Sequence, residues 1–190
     1  MTDSLLPRSP SLDEPLEMLE ACHERIEAQL NTLERLLDYL PRHGADEQAR
    51  QAARNILRYF NLAGPNHHED EERNLFPTLI ARATADEAAA VQQLVRDLLA
   101  DHERMAVALD VVRQQLKPIA EGLDSNLDEA SVRNLAGLYR QHIEKENTTL
   151  LPLSRRLLQP GDIRTLSRAM TERRTQPTDL EVNLSDPRFS

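Results

Sequence analysis

Two segments of the chain place a histidine and a glutamate four residues apart, His67-x-x-x-Glu71 and His142-x-x-x-Glu146. On a helix this spacing puts both side chains on one face, so each segment can offer an imidazole and a carboxylate to one centre. Both runs continue in the same register to a proline, through Leu75-Phe76-Pro77 and Leu150-Leu151-Pro152. A second echo links His23-Glu24-Arg25 to His102-Glu103-Arg104. The chain therefore reads as two helix hairpins of one design. Four imidazoles and two carboxylates with no thiolate suit a first-row metal such as iron, manganese or zinc, and not calcium or magnesium. Six donors exceed a tetrahedral zinc site. They fit two cations bridged by Glu71 and Glu146, each with about two histidines and an open or water-filled position where chemistry can occur.

Each feature alone has an ordinary explanation. A single histidine on an apolar face is more often a hydrogen-bonded core residue, and a single His–Glu pair at i,i+4 is more often a surface ion pair. The register shared by all six residues carries the reading.

The elements that position them follow from helical periodicity. A first helix starts near Pro15, a residue favoured in a first turn, and its inward row is Leu16, Leu19, His23, Ile26, Leu30, Leu33, Leu37 and Leu40. It ends at Pro41 and the Arg42-His43-Gly44 turn. A second runs from about Asp46 to Leu79, with Ile56, Phe60, Ala63, His67 and Glu71 inward, and a kink or break is expected at Gly64-Pro65 and near Pro77. A third spans about Ala85 to Leu116, where His102 fills the gap between Leu98 and Met105. A fourth opens at Asn126, an N-cap with Glu129 three residues on, and carries Val132, Leu135, Tyr139, His142 and Glu146. A shorter helix is expected from Asp162 to about Arg173.

With turns near His43, Ala83 and Glu121, the histidines of successive helices lie at distances from each turn that differ by at most four residues. At ~1.5 Å per residue that is about one helical turn, so all four fall at nearly one height. The expected fold is all-α, an up-down-up-down four-helix bundle with a short C-terminal helix and tail. Its divisions are an arm (1–13), the bundle (14–158), the short helix (159–174) and a flexible tail (175–190).

Composition agrees. Among 190 residues there are 31 Leu and 20 Ala but only 13 Val plus Ile and 6 aromatics, which favours helices over strands. A net charge of −9 disfavours nucleic-acid binding, and one cysteine excludes a disulfide framework or a thiolate-built metal site. No leader or membrane span is read from the sequence, so a cytoplasmic protein is expected, as a monomer or weak homodimer.

The remaining chemistry-capable residues have structural explanations. His68 could pair with Glu72, but its face should point to a helix interface or solvent, so it reads as an outer or surface residue. His43 lies in a turn, Cys22 is one residue off the inward row, and Tyr139 is core. Apart from Glu71, the run Glu69-Asp70-Glu71-Glu72 reads as a solvated face.

The run His67-His68-Glu69-Asp70-Glu71-Glu72-Arg73-Asn74-Leu75-Phe76-Pro77 resembles the H-H-x-x-E-E-x-x-L-F-P element of the hemerythrin-like, HHE cation-binding family. Tyr139-Arg140-x-His142-Ile143-x-x-Glu146 with Leu151-Pro152 resembles its second half, and the likeness extends from about Glu14 to Leu158. It implies a non-haem centre of two iron ions, ahead of manganese or zinc, held by His23, His67, Glu71, His102, His142 and Glu146. The implied ligand is a small oxidant: dioxygen, nitric oxide or peroxide. Two departures matter. Oxygen-carrying members use a fifth histidine, in an H-x-x-x-H pair on the third helix, and here the residue four after His102 is Ala106. That gap implies a more open metal, suited to redox reactivity or sensing over oxygen carriage. The iron–sulfur repair branch carries a cysteine-bearing N-terminal module, whereas this chain has only Cys22. Redox enzymes on the same centre and iron handling without turnover stand as alternatives. Ferritin-type chemistry needs two E-x-x-H pairs, and only Glu20-x-x-His23 is present.

Overall fold

The computed structural model describes residues 14–175, an all-helical bundle with no strand among them. Helix α1 (Pro15–His43) starts at the expected proline and ends on Gly44, whose positive φ of 63° lets its N–H reach Leu40 O at 2.8 Å. Pro41 sits inside the last turn and does not end the helix. Helix α2 (Glu47–Asp70) is capped by Asp46, whose side chain accepts from the Ala49 N–H. It then widens into a π turn, π1 (Glu71–Leu75), and continues as α3 (Phe76–Arg82). Helix α4 (Ala88–Glu121) ends on left-handed Gly122. Helix α5 (Glu129–Lys145) is followed by a second π turn, π2 (Glu146–Leu150), and by α6 (Leu151–Leu157). Helix α7 (Pro160–Thr175) closes the described chain.

The long helices close a ring in which α1 packs on α2 and α5, and α4 packs on α2 and α5. Helix α7 lies across α1 and α2. The interior divides into two apolar clusters. One contains Ile26, Leu30, Ile56, Phe60, Met105 and Tyr139, the other Leu19, Leu75, Leu79, Leu98, Leu150 and Met170. His23, His67, His102 and His142 occupy the layer between them, all buried. The shared height inferred from sequence is therefore observed.

Several local expectations are corrected. No break occurs at Gly64-Pro65: α2 runs through both residues, and Gly64 is buried in place of Ala63. The irregularity lies later, at the two π turns, and takes the same form in both places. Pro77 and Pro152 have no N–H to give to the carbonyl four residues back. The preceding residues make the wider five-residue bond, Phe76 N–H to Glu71 O and Leu151 N–H to Glu146 O. The N-cap of α5 is Asp128, which accepts from the Ser131 N–H, and not Asn126. In α1 Leu36 is buried, and Leu37, placed in the inward row from sequence, is only partly buried against the same apolar cluster. The C-terminal helix reaches Thr175, while the expected arm at 1–13 and the tail after 175 lie outside the described residues.

Candidate metal centre

Each π turn begins on a glutamate, and this places the two carboxylates. Glu71 and Glu146 follow directly on α2 and α5, and both are fully buried. Around them the six expected side chains converge. His23 Nε2 lies 2.9 Å from Glu146 Oε2, and His67 Nε2 lies 3.6 Å from Glu71 Oε1 and 3.9 Å from Glu146 Oε2. On the other side His142 Nε2 is 3.2 Å from Glu146 Oε1, and His102 Nε2 is 3.5 Å from Glu71 Oε2.

A seventh residue joins them. His68, read from sequence as an outer or surface residue, is half-buried and stacks on His102 with ring centroids 4.0 Å apart. One nitrogen from each of His68, His102 and His142 falls within a single 4.8 Å cluster. Two further clusters of the same size are His23, His67, Glu71, Glu146 and Glu71, His102, His142, Glu146. The last two share both carboxylates, and the first shares His102 and His142 with the third, so the donors divide into two adjacent groups, one with two imidazoles and one with three. The third imidazole comes from α2, beside His67, instead of from the position four after His102. A fifth imidazole thus lies beside the centre, and the group with fewer imidazoles is the one of His23 and His67.

Hydrogen bonds behind the rings fix which nitrogen faces inward. His23 Nδ1 donates to Asn147 Oδ1 at 2.8 Å, and His102 Nδ1 donates to Glu72 Oε1 at 2.5 Å. Asp101 Oδ2 lies 3.6 Å from His142 Nδ1 and is itself held by Lys145 at 2.5 Å and by Arg104. The acidic run is therefore less solvated than its sequence suggested. Glu72 reaches His102, and Asp70 is fully buried beneath Arg173 and Arg174 of α7. Cys22 is a buried thiol beside Arg174. Glu20 pairs on the surface with Arg155 at 2.8 Å, outside the centre, and Tyr139 packs on Phe60 in the core.

The donor set fits cations on two grounds. First, His23 Nε2, His67 Nε2, Glu71 Oε2 and both oxygens of Glu146 face the centre and are buried without a hydrogen-bond partner. At ~1–3 kcal/mol per unsatisfied group, five such atoms cost on the order of 10 kcal/mol, as much as a whole domain's stability. Close approach without hydrogen-bond geometry is what donors around a shared cation adopt. Second, His102 Nε2 and His142 Nε2 lie 3.2 Å apart. Two nitrogens each ~2.1 Å from one metal and at right angles about it would be about 3 Å apart.

The electrostatics agree. Burial pushes His67 well below the ordinary histidine range, His68 to about 3 and His102 to about 4, leaving neutral imidazoles with lone pairs to donate. Burial would raise Glu146, but the His142 and His23 imidazoles outweigh it and hold this carboxyl well below its usual range. Burial and the neighbouring Glu146 charge push Glu71 well above its own. His23 is raised: burial opposes its charge, and Glu146 more than offsets that. Glu71 thus resists ionising beside Glu146, and divalent cations would supply the positive charge that lets both carboxylates ionise.

Residues 14–154 match the family model described as the hemerythrin HHE cation binding domain. The chain is also similar to an uncharacterised protein of Haemophilus influenzae, with 30% identity over 162 residues, covering 85% of this chain and 91% of that relative. No helix among the described residues is long and apolar enough to cross a membrane.

Proposed function

Because the chain belongs to the hemerythrin HHE cation-binding family, we propose that it is a non-haem di-iron protein that binds or senses a small oxidant at its buried centre. The observation that carries the reading is the convergence of imidazoles from four helices on Glu71 and Glu146, with buried donor atoms there that no hydrogen bond satisfies. His23 and His67 would hold one cation, His68, His102 and His142 would hold the other, and Glu71 and Glu146 are within reach of both. Iron in an all-imidazole and carboxylate environment supplies one-electron redox change and affinity for dioxygen, nitric oxide or peroxide. The chain's own part is positioning and exclusion. The two apolar clusters keep bulk water from either end of the centre. The five-donor pocket is the more saturated by protein groups, so the four-donor pocket beside His23 and His67 is where an outside ligand has room. The oxidant, the iron and the cytoplasmic location belong to this proposal together.

Rapid mixing of the reduced, iron-loaded protein with oxygen, nitric oxide and peroxide tests it. A stable and reversible spectral change with at least one of them is expected. Repeated turnover would reassign the centre to a redox enzyme. No spectral response to any of the three would leave iron handling and refute the proposal.

A further inference from the structure

The internal repeat relates the two halves of the centre residue by residue. His23 corresponds to His102, His67 to His142, Glu71 to Glu146, and Glu72 to Asn147. The correspondence holds in space. The residue after each bridging glutamate reaches across to the other hairpin and accepts from the Nδ1–H of its histidine, Glu72 from His102 and Asn147 from His23. The two halves differ in charge at this position, a carboxylate behind one imidazole and an amide behind the other. A second pair differs in the same sense. Asp101, the residue before His102, puts a carboxylate oxygen 3.6 Å from His142 Nδ1, near enough to act by its charge but without a hydrogen bond, whereas its counterpart before His23 is Cys22 and no carboxylate stands behind His67 Nδ1. Every negative outer partner is on one side.

We propose that Glu72 and Asp101 are positioning residues that make the two cation sites unequal, so that the ion at His68, His102 and His142 is retained while the ion at His23 and His67 is exchangeable. The inference rests on the two-cation reading above. A carboxylate hydrogen-bonded behind an imidazole, as Glu72 is behind His102, draws the Nδ1 proton toward itself, leaves the ring more electron-rich and fixes its orientation, which strengthens the Nε2 donor; Asp101 adds only its charge behind His142. An amide fixes orientation but adds no charge. Glu72 contributes more than Asp101. Lys145 and Arg104 already neutralise Asp101, whereas among the described residues no lysine or arginine pairs with Glu72. The pocket with the negative outer partners is also the pocket with the third imidazole, so the two effects add.

The test uses the full chain loaded without oxygen with two equivalents of iron-57 as ferrous ion, then mixed with a ferrous chelator. Two release phases of equal amplitude are expected. Glu72→Gln keeps the hydrogen bond and removes the charge, and it should speed the slow phase about 10–100-fold while leaving the fast phase alone. Asn147→Asp supplies the missing charge and should slow the fast phase, a gain that a merely structural role for these side chains does not produce. In Mössbauer spectra of samples frozen after the fast phase, the surviving doublet should be the one that Glu72→Gln shifts. Release in one phase, equal acceleration of both phases, or a shift confined to the fast-released ion would overturn the inference and leave the di-iron reading standing. Binding of fewer than two ions would overturn that reading, and this inference with it.

Discussion

Replacing His68 by alanine separates a ligand role from a packing role. The ring is half-buried and stacked on His102 with an interplanar angle of 12°. Such a stack contributes about 0.5–1.5 kcal/mol beyond its buried area. At about 2–4 °C per kcal/mol for a chain of this size, the melting temperature of the metal-free protein should fall by only a few degrees. The cost to cation binding is larger. Loss of an outer partner of a ligand typically weakens a metal site about 10–100-fold, and loss of a donor reaches at least the upper end of that range. A 100-fold loss is about 2.7 kcal/mol at ~1.36 per tenfold, and it falls on one ion of the pair. Competition with a calibrated chelator, with metal counted in the protein fraction, should show one ion held at the wild-type affinity and the other about 100-fold weaker. If both ions stay at wild-type affinity while the melting temperature drops, His68 is packing for His102 and the five-histidine set is wrong.

Glu71→Gln removes the charge that Glu146 repels inside the bundle. It should drop the metal content below two ions per chain while leaving the metal-free melting temperature unchanged or higher, since the amide resembles the neutral acid that burial favours there and cannot ionise. The raised Glu71 carboxyl also sets a pH dependence. Its neutral form contributes stability to the metal-free fold in full below about 4.5, and this is lost as pH rises through the raised folded value. Cations must displace that proton, so apparent affinity should climb with pH and loading should release protons in weak buffer; in Glu71→Gln both effects should shrink. Asp70→Ala strands Arg173 and Arg174 of α7. These two are partly exposed and can reach water, so the cost falls below the ~3–5 kcal/mol of a fully buried broken pair, at about 2–3 kcal/mol. A thermal melt should fall by about 5–10 °C, with faster amide exchange confined to residues 160–175.

The helices and the six inward ionisable residues were legible because helical periodicity is a strong one-dimensional pattern, and a histidine in an otherwise leucine row stands out. His68 was not legible by that test. It is adjacent to His67, about 100° around α2, and a one-seam reading assigns such a neighbour to solvent. It reaches the centre because α2 faces two neighbours, α1 and α4, so a pocket lying between seams draws on both sides of one helix. The same geometry hid Glu72 and Asp70. Their neighbours are His102 on α4 and two arginines on α7, and long-range partners of this kind leave no periodic trace. The π turns were half visible. The prolines signalled that α-helical bonding must fail, but Gly64-Pro65 carried the same signal and had no such effect. The difference is that Pro77 and Pro152 each lie six residues after a buried carboxylate.

That placement ties the local irregularity to the chemistry. An unbroken α-helix from His67 would carry the row of inward positions on at 3.6 residues per turn. One wider turn starting at Glu71 shifts everything after it by one residue, so Leu75 and Phe76 are both buried. The same shift after Glu146 buries both Leu150 and Leu151. The apolar side chains that close one end of the centre are thereby aimed independently of the His–Glu pairs that form it. Replacing the exposed Pro77 by alanine leaves the buried Phe76 in place and should therefore cost more metal binding than stability. The fold keeps its hydrophobic volume, but residue 77 gains an N–H for the ordinary four-residue bond, which competes with the wider bond from Phe76 to Glu71 O beside the carboxylate.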